Sequence, residues 1–252
     1  MTVLTKTVIL DGARTAFGKF GGALSNLTAS DLGGVAIKEA LAKAGVNPEQ
    51  VDEVIMGTVL QAGQGQIPSR QAANKAGIPW NVQTETINKV CASGMRSVTM
   101  ADQIIRLGDE EVIVAGGMES MSNAPYYLPK GRFGLRMGDG QMVDGMIYDG
   151  LSCSFHPKRV HMGTYGNSTA ETFELSREKQ DEWSYRSHSL ALKAIESGIF
   201  AEEIVPVEIP QRKGDPIVVT QDEAPRTDTS VESLAKLKPA FGKEGTITAG
   251  NA

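Results

Sequence analysis

The 252-residue sequence is poor in residues that staple a fold or hold a metal. It has two cysteines, Cys91 and Cys153, and three histidines. Two thiols make no disulfide framework, so a reduced, cytoplasmic setting is expected. Neither cysteines nor histidines fall at metal-ligand spacing, and no metal site is expected. No apolar run reaches the ~18 residues that a membrane-spanning helix needs. Met1-Thr2-Val3-Leu4-Thr5-Lys6 has no charged start leading to an apolar stretch and a small-residue cleavage site, so no signal peptide is expected. Basic residues are in deficit. The formal net charge of −5 argues against a nucleic-acid partner. Internal repeats and low-complexity tracts are absent. Gly63-Gln64-Gly65-Gln66 lacks the Gly-Lys-Ser/Thr ending of a phosphate loop and the spacing of a dinucleotide fingerprint.

The patterns that are present alternate between strand and helix. Thr5 to Leu10 reads as a first strand. Thr28 to Ala44 reads as a helix, with Thr28 as N-cap, Asp31 in the first turn, Gly45 at the stop, and Leu32, Val35, Ala36 and Leu41 on the buried face. Val51 to Leu60 is a second strand, Pro68 to Ala76 a short helix, Thr84 to Asn88 a third strand and Val112 to Ala115 a fourth. Strand, helix and strand in succession predict a right-handed parallel crossover and a layered α/β domain. Met118 to Gly150 is rich in Met, Gly, Tyr and Pro without clear periodicity and reads as a loop-rich insertion. Ser176 to Ser197 reads as a helix with Trp183, Leu190, Ala191, Ala194 and Ile195 on its buried stripe and His188 in solvent. Ile204 to Ile209 and Ile217 to Thr220 suggest a hairpin. Ser233 to Leu237 is a short helix, and Thr246 to Ala249 starts a further strand.

The chemistry centres on Thr86 to Gly117. A strand-like run ends at Cys91, the small residues Ala92, Ser93 and Gly94 follow, and Gly94, Val98, Ala101 and Ile105 recur at helical spacing up to Gly108. Cys91 is therefore expected at a strand-to-helix turn. Unpaired N–H groups and the helix dipole there favour a thiolate over a thiol. The alternative is a buried, inert cysteine that only packs.

Asn88-Lys89-Val90-Cys91-Ala92-Ser93-Gly94-Met95, followed by Gly116-Gly117-Met118-Glu119-Ser120-Met121-Ser122, closely resembles the thiolase family, with the short-chain acetyl-CoA acetyltransferases as the nearest branch. The resemblance extends over nearly the whole chain. It implies a layered α/β domain at residues 1–118 that carries the nucleophile, an inserted α+β CoA-covering loop domain at 119–248, and a return toward the core at 249–252. It also implies Claisen condensation of two acetyl-CoA to acetoacetyl-CoA and CoA, and the reverse thiolysis, through an S-acetyl cysteine at Cys91. The Cys91 N–H would act as an oxyanion donor.

Position by position, the resemblance makes Leu151, His161, Met162, Arg226, Ser233, Phe241 and Ala249 candidates to contact CoA. Arg226 would pair with phosphate or stack on adenine. Leu151, Met162 and Phe241 would line the pantetheine path. Met162 after His161 points to the short-chain branch. Without the resemblance Leu151 and Phe241 read as core, Arg226 as a solvated charge, His161 as a polar-loop histidine, and Cys153 as packing. No tightly bound cofactor is implied, because CoA is a substrate. A homodimer or homotetramer is implied, with Gln64 to Gln71 near the interface. The family's Gly-His-Pro and Cys-x-Gly-Gly proton-transfer motifs and its Asn-Glu-Ala-Phe stretch do not occur, so the 252 residues alone are expected to be inactive in turnover. Other readings are a longer-chain 3-ketoacyl-CoA thiolase, a condensing enzyme for carrier-protein thioesters, or a non-catalytic CoA-binding or assembly module.

Overall fold

A computed structural model of the chain describes residues 6–252. Met1 to Thr5, including the start of the expected first strand and the segment read for a signal peptide, lie outside the described residues. The chain forms two compact units. One runs to Met146 and includes Glu203–Glu223; the other is Ile147–Glu202 with Ala224–Ala252.

The first unit is built on three parallel strands, β1 (Glu53–Gly57), β2 (Gln83–Ile87) and β3 (Ile113–Gly117), with β1 in the middle. All five β1 residues are buried, so behind Glu53 the central parallel strand reads as a continuous apolar run, Val54-Ile55-Met56, rather than an alternation. Its Val54 and Met56 face α1 (Ala29–Ala44) and α2 (Pro68–Lys75) and share a core with Ile37, Leu41, Ala72, Ala73 and Ile78. Each fully buried aliphatic side chain there contributes about 1.5 to 3 kcal/mol. The other face of β1, Ile55 and Gly57, takes α3 (Ser93–Leu107). Thus α1/α2, sheet and α3 make three layers of an α/β unit.

Helix α1 begins where the sequence places it. The Thr28 hydroxyl accepts from the Asp31 N–H and the Asp31 carboxylate accepts from the Thr28 N–H, while Gly45 ends the helix at φ +66°. Its apolar residues serve two cores. Ile37 and Leu41 go to the sheet, and Leu32 and Val35 go to a second cluster of Ala16, Leu24, Val207, Ile209 and Val219.

The expected insertion after Gly117 holds one two-residue pairing, β4 (Tyr126–Tyr127) with β5 (Val143–Asp144). The later hairpin, β6 (Val207–Ile209) with β7 (Ile217–Val219), forms as predicted and supplies three side chains to the second cluster. Two carboxylates just beyond it hold the N-terminal segment. Asp222 accepts from the Arg14 guanidinium at 2.7 Å and the Phe17 N–H at 2.8 Å; Glu223 accepts from the Lys19 N–H at 2.8 Å. This packing places 119–146 and 203–223 in the first unit, so the compact units are bounded differently from the 1–118, 119–248 and 249–252 division read from the sequence.

The second unit holds α4 (Gly163–Thr172), α5 (Arg177–Glu196) and α6 (Val231–Ala235). Ser176 caps α5 by accepting from the Lys179 N–H, and Gly198 follows at φ +74°. No described helix is long and apolar enough to cross a membrane.

Three expectations are corrected. Residues 6–10 form no strand: Val8, Ile9 and Leu10 are 70%, 83% and 61% exposed, and no described segment pairs with them. Thr246 to Ala249 forms only an isolated bridge, Pro239 with Thr248. The stripe assigned to α5 holds only in part: Ala191, Ala194 and Ile195 are half-buried, but Trp183 is 68% and Leu190 49% exposed, whereas Asp181 is buried and His188 half-buried. In its first three turns the inward positions of α5 are polar, Asp181, Ser184 and His188, and a search for apolar periodicity misses them.

Glu53 opens β1 with only 6% of its surface exposed, and no hydrogen bond or ion pair reaches its carboxylate among the described residues. Burial, and then the neighbouring carboxylates Glu85 and Glu110, push its pKa above the ordinary value. A raised carboxylate pKa means that the folded chain holds the proton more tightly than the unfolded chain. Its contribution is therefore complete below the ordinary carboxylate range and is lost as pH climbs through the raised value. Glu53→Gln, which keeps the shape without the charge, is expected to stabilise the protein by about 1 kcal/mol at neutral pH and by nothing in acid. Urea unfolding at the two pH values checks this; equal effects at both would remove the buried-charge argument.

Candidate active site

Cys91 lies in the tight turn that joins β2 to α3, two residues before the helix begins, and its side chain is exposed. The turn is held from both sides. The Asn88 side chain accepts from the Val90 N–H at 2.9 Å and donates to the Val59 carbonyl at 3.2 Å. The buried Ser93 hydroxyl accepts from the Lys89 N–H at 2.9 Å and donates to the Val90 carbonyl at 2.6 Å. Together they hold Val90 at φ +51°, a left-handed conformation that costs a β-branched residue about 1 to 3 kcal/mol. The cost falls on the residue immediately before the sulfur.

The helix end can reach this place because three side chains are missing. A Cβ on Gly57 would lie 2.4 Å from the Ser93 carbonyl carbon, and one on Gly117 would lie 3.1 Å from the Gly94 Cα. Gly57 ends β1, Gly117 ends β3 and Gly94 is the second residue of α3, so the helix start rests directly on two strand ends. Gly57 and Gly117 as the partners are new.

Chemically, the turn presents a thiol on the surface at a helix start that has no side-chain cap, because Ala92 stands at that position. The Cys91 N–H donates to no acceptor among the described residues. A nearby loop is ordered by Glu119, which accepts from the Val59 N–H at 2.8 Å and the Thr58 hydroxyl at 3.1 Å. Asn88, Ser93 and Glu119 stand in the family-like motifs, and their part in holding the turn and its neighbouring loop emerges only from the structure. Polar residues flanking the turn are the signal that the sequence offers for Asn88 and Ser93; of the three only Ser93 is buried.

The seven residues proposed for CoA all belong to the second unit. His161 and Phe241 are brought together, their rings stacked at 4.7 Å and 21°. Met162 follows, 41% exposed, with its N–H donating to the Leu151 carbonyl at 2.9 Å. Arg226 is exposed and its guanidinium donates twice to Asp228, at 2.9 and 3.1 Å; its backbone N–H donates to His188 Nδ1 at 3.3 Å. Ser233 caps α6 reciprocally with Ser230, so its hydroxyl already has backbone partners. Ala249 is exposed in a turn closed by Asn251, whose side chain accepts from the Thr248 N–H at 2.7 Å and donates to the buried Asp181 at 2.8 Å.

Cys153 is half-buried. Its thiol is held below the ordinary range, first by the Tyr165 hydroxyl and then by the Phe155 N–H. Among the described residues no group of three or more His, Cys, Asp or Glu is placed to hold a metal.

Replacing Gly57 by Ala forces a methyl group into the Ser93 backbone and is expected to cost about 3 kcal/mol. The denaturation midpoint reads this, and a cost below about 1 kcal/mol would show that α3 is free to shift.

The sequence pattern of the thiolase N-terminal domain matches residues 7–252. An acetyl-CoA acetyltransferase of Cupriavidus necator is 53% identical over 249 residues, which are 99% of this chain and 63% of that protein. A probable acetyl-CoA acyltransferase of Staphylococcus aureus is 49% identical over 249 residues, with the same coverage of 99% and 63%. The crystal structure of the Bacillus anthracis acetyl-CoA acetyltransferase superposes with a TM-score of 0.95 at 43% identity, covering 100% of this chain and 63% of that one. The chain thus spans about 63% of the length of the relatives it matches. On the family match, the identities and the shared fold, the chain belongs to the thiolase family.

Proposed function

We propose that this chain carries the acyl-accepting half of a thiolase reaction, with Cys91 as nucleophile and a CoA thioester as donor. The observation that carries the reading is the exposed Cys91 sulfur, set beside a strained residue at the start of an uncapped helix. The sulfur, as thiolate, attacks the thioester carbonyl carbon. A new carbon–sulfur bond forms and the carbonyl electrons move to oxygen, where the free Cys91 N–H meets the developing charge. The carbonyl re-forms, the bond to the CoA sulfur breaks, and CoA leaves as a thiolate that takes up the proton Cys91 gave up.

Relatives named acetyl-CoA acetyltransferase support acetyl-CoA as donor, and Met162 supports a short acyl chain. In the second half-reaction the acetyl group passes to the methyl carbanion of another acetyl-CoA, giving acetoacetyl-CoA and restoring Cys91. That half needs a base for the methyl proton. The first unit has Cys91 as its sole cysteine and no histidine, so this chain's assigned share is acylation. The seven second-unit residues, within the 119–248 covering segment and the turn that follows it, are assigned to CoA. A homo-oligomer in the cytoplasm is the accompanying proposal.

Incubation with acetyl-CoA is expected to add one acetyl group to the peptide that contains Cys91, seen by mass spectrometry, and Cys91→Ala is expected to abolish it. An acetyl group found on Cys153 instead, or unchanged labelling in the Cys91→Ala protein, would overturn the assignment.

A further inference from the structure

Within the second unit, Phe241 is fixed from three directions. Its ring stacks on His161 at 4.7 Å. The ring also fills the space over Gly163, where a Cβ would meet it at 2.4 Å. Its carbonyl accepts from the Asn167 side-chain amide at 2.9 Å. Gly163 and Asn167 stand four apart on α4 and therefore share one face of that helix. The other end of the Asn167 amide accepts from the N–H groups of Thr246 and Ile247, each at 3.0 Å. The amide lies against Gly245, where a Cβ would meet its nitrogen at 2.4 Å. One side chain thus closes the 241–247 segment by three hydrogen bonds to backbone, and glycine leaves room for it.

We propose that Asn167 is a positioning residue for CoA recognition: it holds Phe241 against His161 so that the pair presents a pre-formed wall to the pantetheine arm. The inference rests on the reading of His161 and Phe241 as CoA contacts. Asn167 touches no substrate; it acts through Phe241. Its three bonds set the ring in advance, so binding does not have to order the segment.

The test is calorimetric titration of the full chain with CoA and with adenosine 3′,5′-bisphosphate, which lacks the pantetheine arm. Asn167→Ala is expected to weaken CoA by about tenfold or more while leaving the nucleotide unchanged. In a Phe241→Ala background the same change is expected to add nothing, because the two act on one contact. Should Asn167→Ala fail to fold, Asn167→Asp replaces it. That variant keeps both acceptor bonds to the segment but sets a carboxylate oxygen against the Phe241 carbonyl in place of the donor, and it is expected to weaken CoA alone. Equal loss of both ligands, unchanged CoA affinity, or additive losses with Phe241→Ala would overturn the inference and leave the CoA reading standing. Failure of the unaltered chain to bind CoA would overturn both.

Discussion

The close approach of α3 to the ends of β1 and β3 is the constraint from which the rest of the first unit follows. Gly57, Gly94 and Gly117 let backbone meet backbone where most helix–sheet contacts are spaced by side chains. With the helix start pinned there, the chain leaving β2 at Ile87 has five residues in which to reverse and enter α3 at Ser93. So short a connection forces Val90 into the left-handed region, and the Asn88 and Ser93 side chains supply the bonds that keep it there. The exposed sulfur is the geometric result. Its position is inherited from three glycines that make no chemistry of their own.

The second unit solves a different problem. It has little sheet, so its loops must find hydrogen-bond partners elsewhere. Helix α5 supplies them from one polar face. Arg177 donates to the carbonyls of Leu234 and Leu237, Asp181 accepts from Asn251, the Ser184 hydroxyl donates to the Gly250 carbonyl, and His188 accepts from the Arg226 N–H. These positions recur at helical spacing, in the same way that core leucines would. The segments that carry Arg226, Ser233 and Ala249 are thereby tied to a single helix. Asn167 on α4 does the same for Phe241.

What was legible in the sequence follows from which signals are local. The caps of α1 and α5 are read within four residues of chain, and Thr28, Gly45 and Ser176 act as their types suggest. The buried strands are legible because an apolar run needs no knowledge of its neighbours. The first strand was not, since a strand exists only if another segment pairs with it, and Val8 to Leu10 have no such partner among the described residues. The α5 stripe failed in part, for a related reason. Hydrophobicity marks Trp183 and Leu190, yet the inward positions were chosen by distant backbone groups that the local pattern cannot see. At the site, Cys91 and the small residues after it were legible as a motif, and Gly57, thirty-four residues earlier in the chain, was not.

The two cysteines separate on geometry. The Cys153 thiol is held below its ordinary range, first by the Tyr165 hydroxyl and then by the Phe155 N–H, and its backbone N–H donates to the Val160 carbonyl. With that N–H donated, Cys153 offers no free N–H of its own to the oxygen of a tetrahedral intermediate. At Cys91 the side chain is open to solvent and its own N–H is free, so acceptor and stabilising donor belong to one residue. Under the proposed acylation, that N–H is the donor Cys91 itself would offer to the carbonyl oxygen, in a turn whose Val90 is already held at φ +51°. The strain at Val90 is carried by the resting fold.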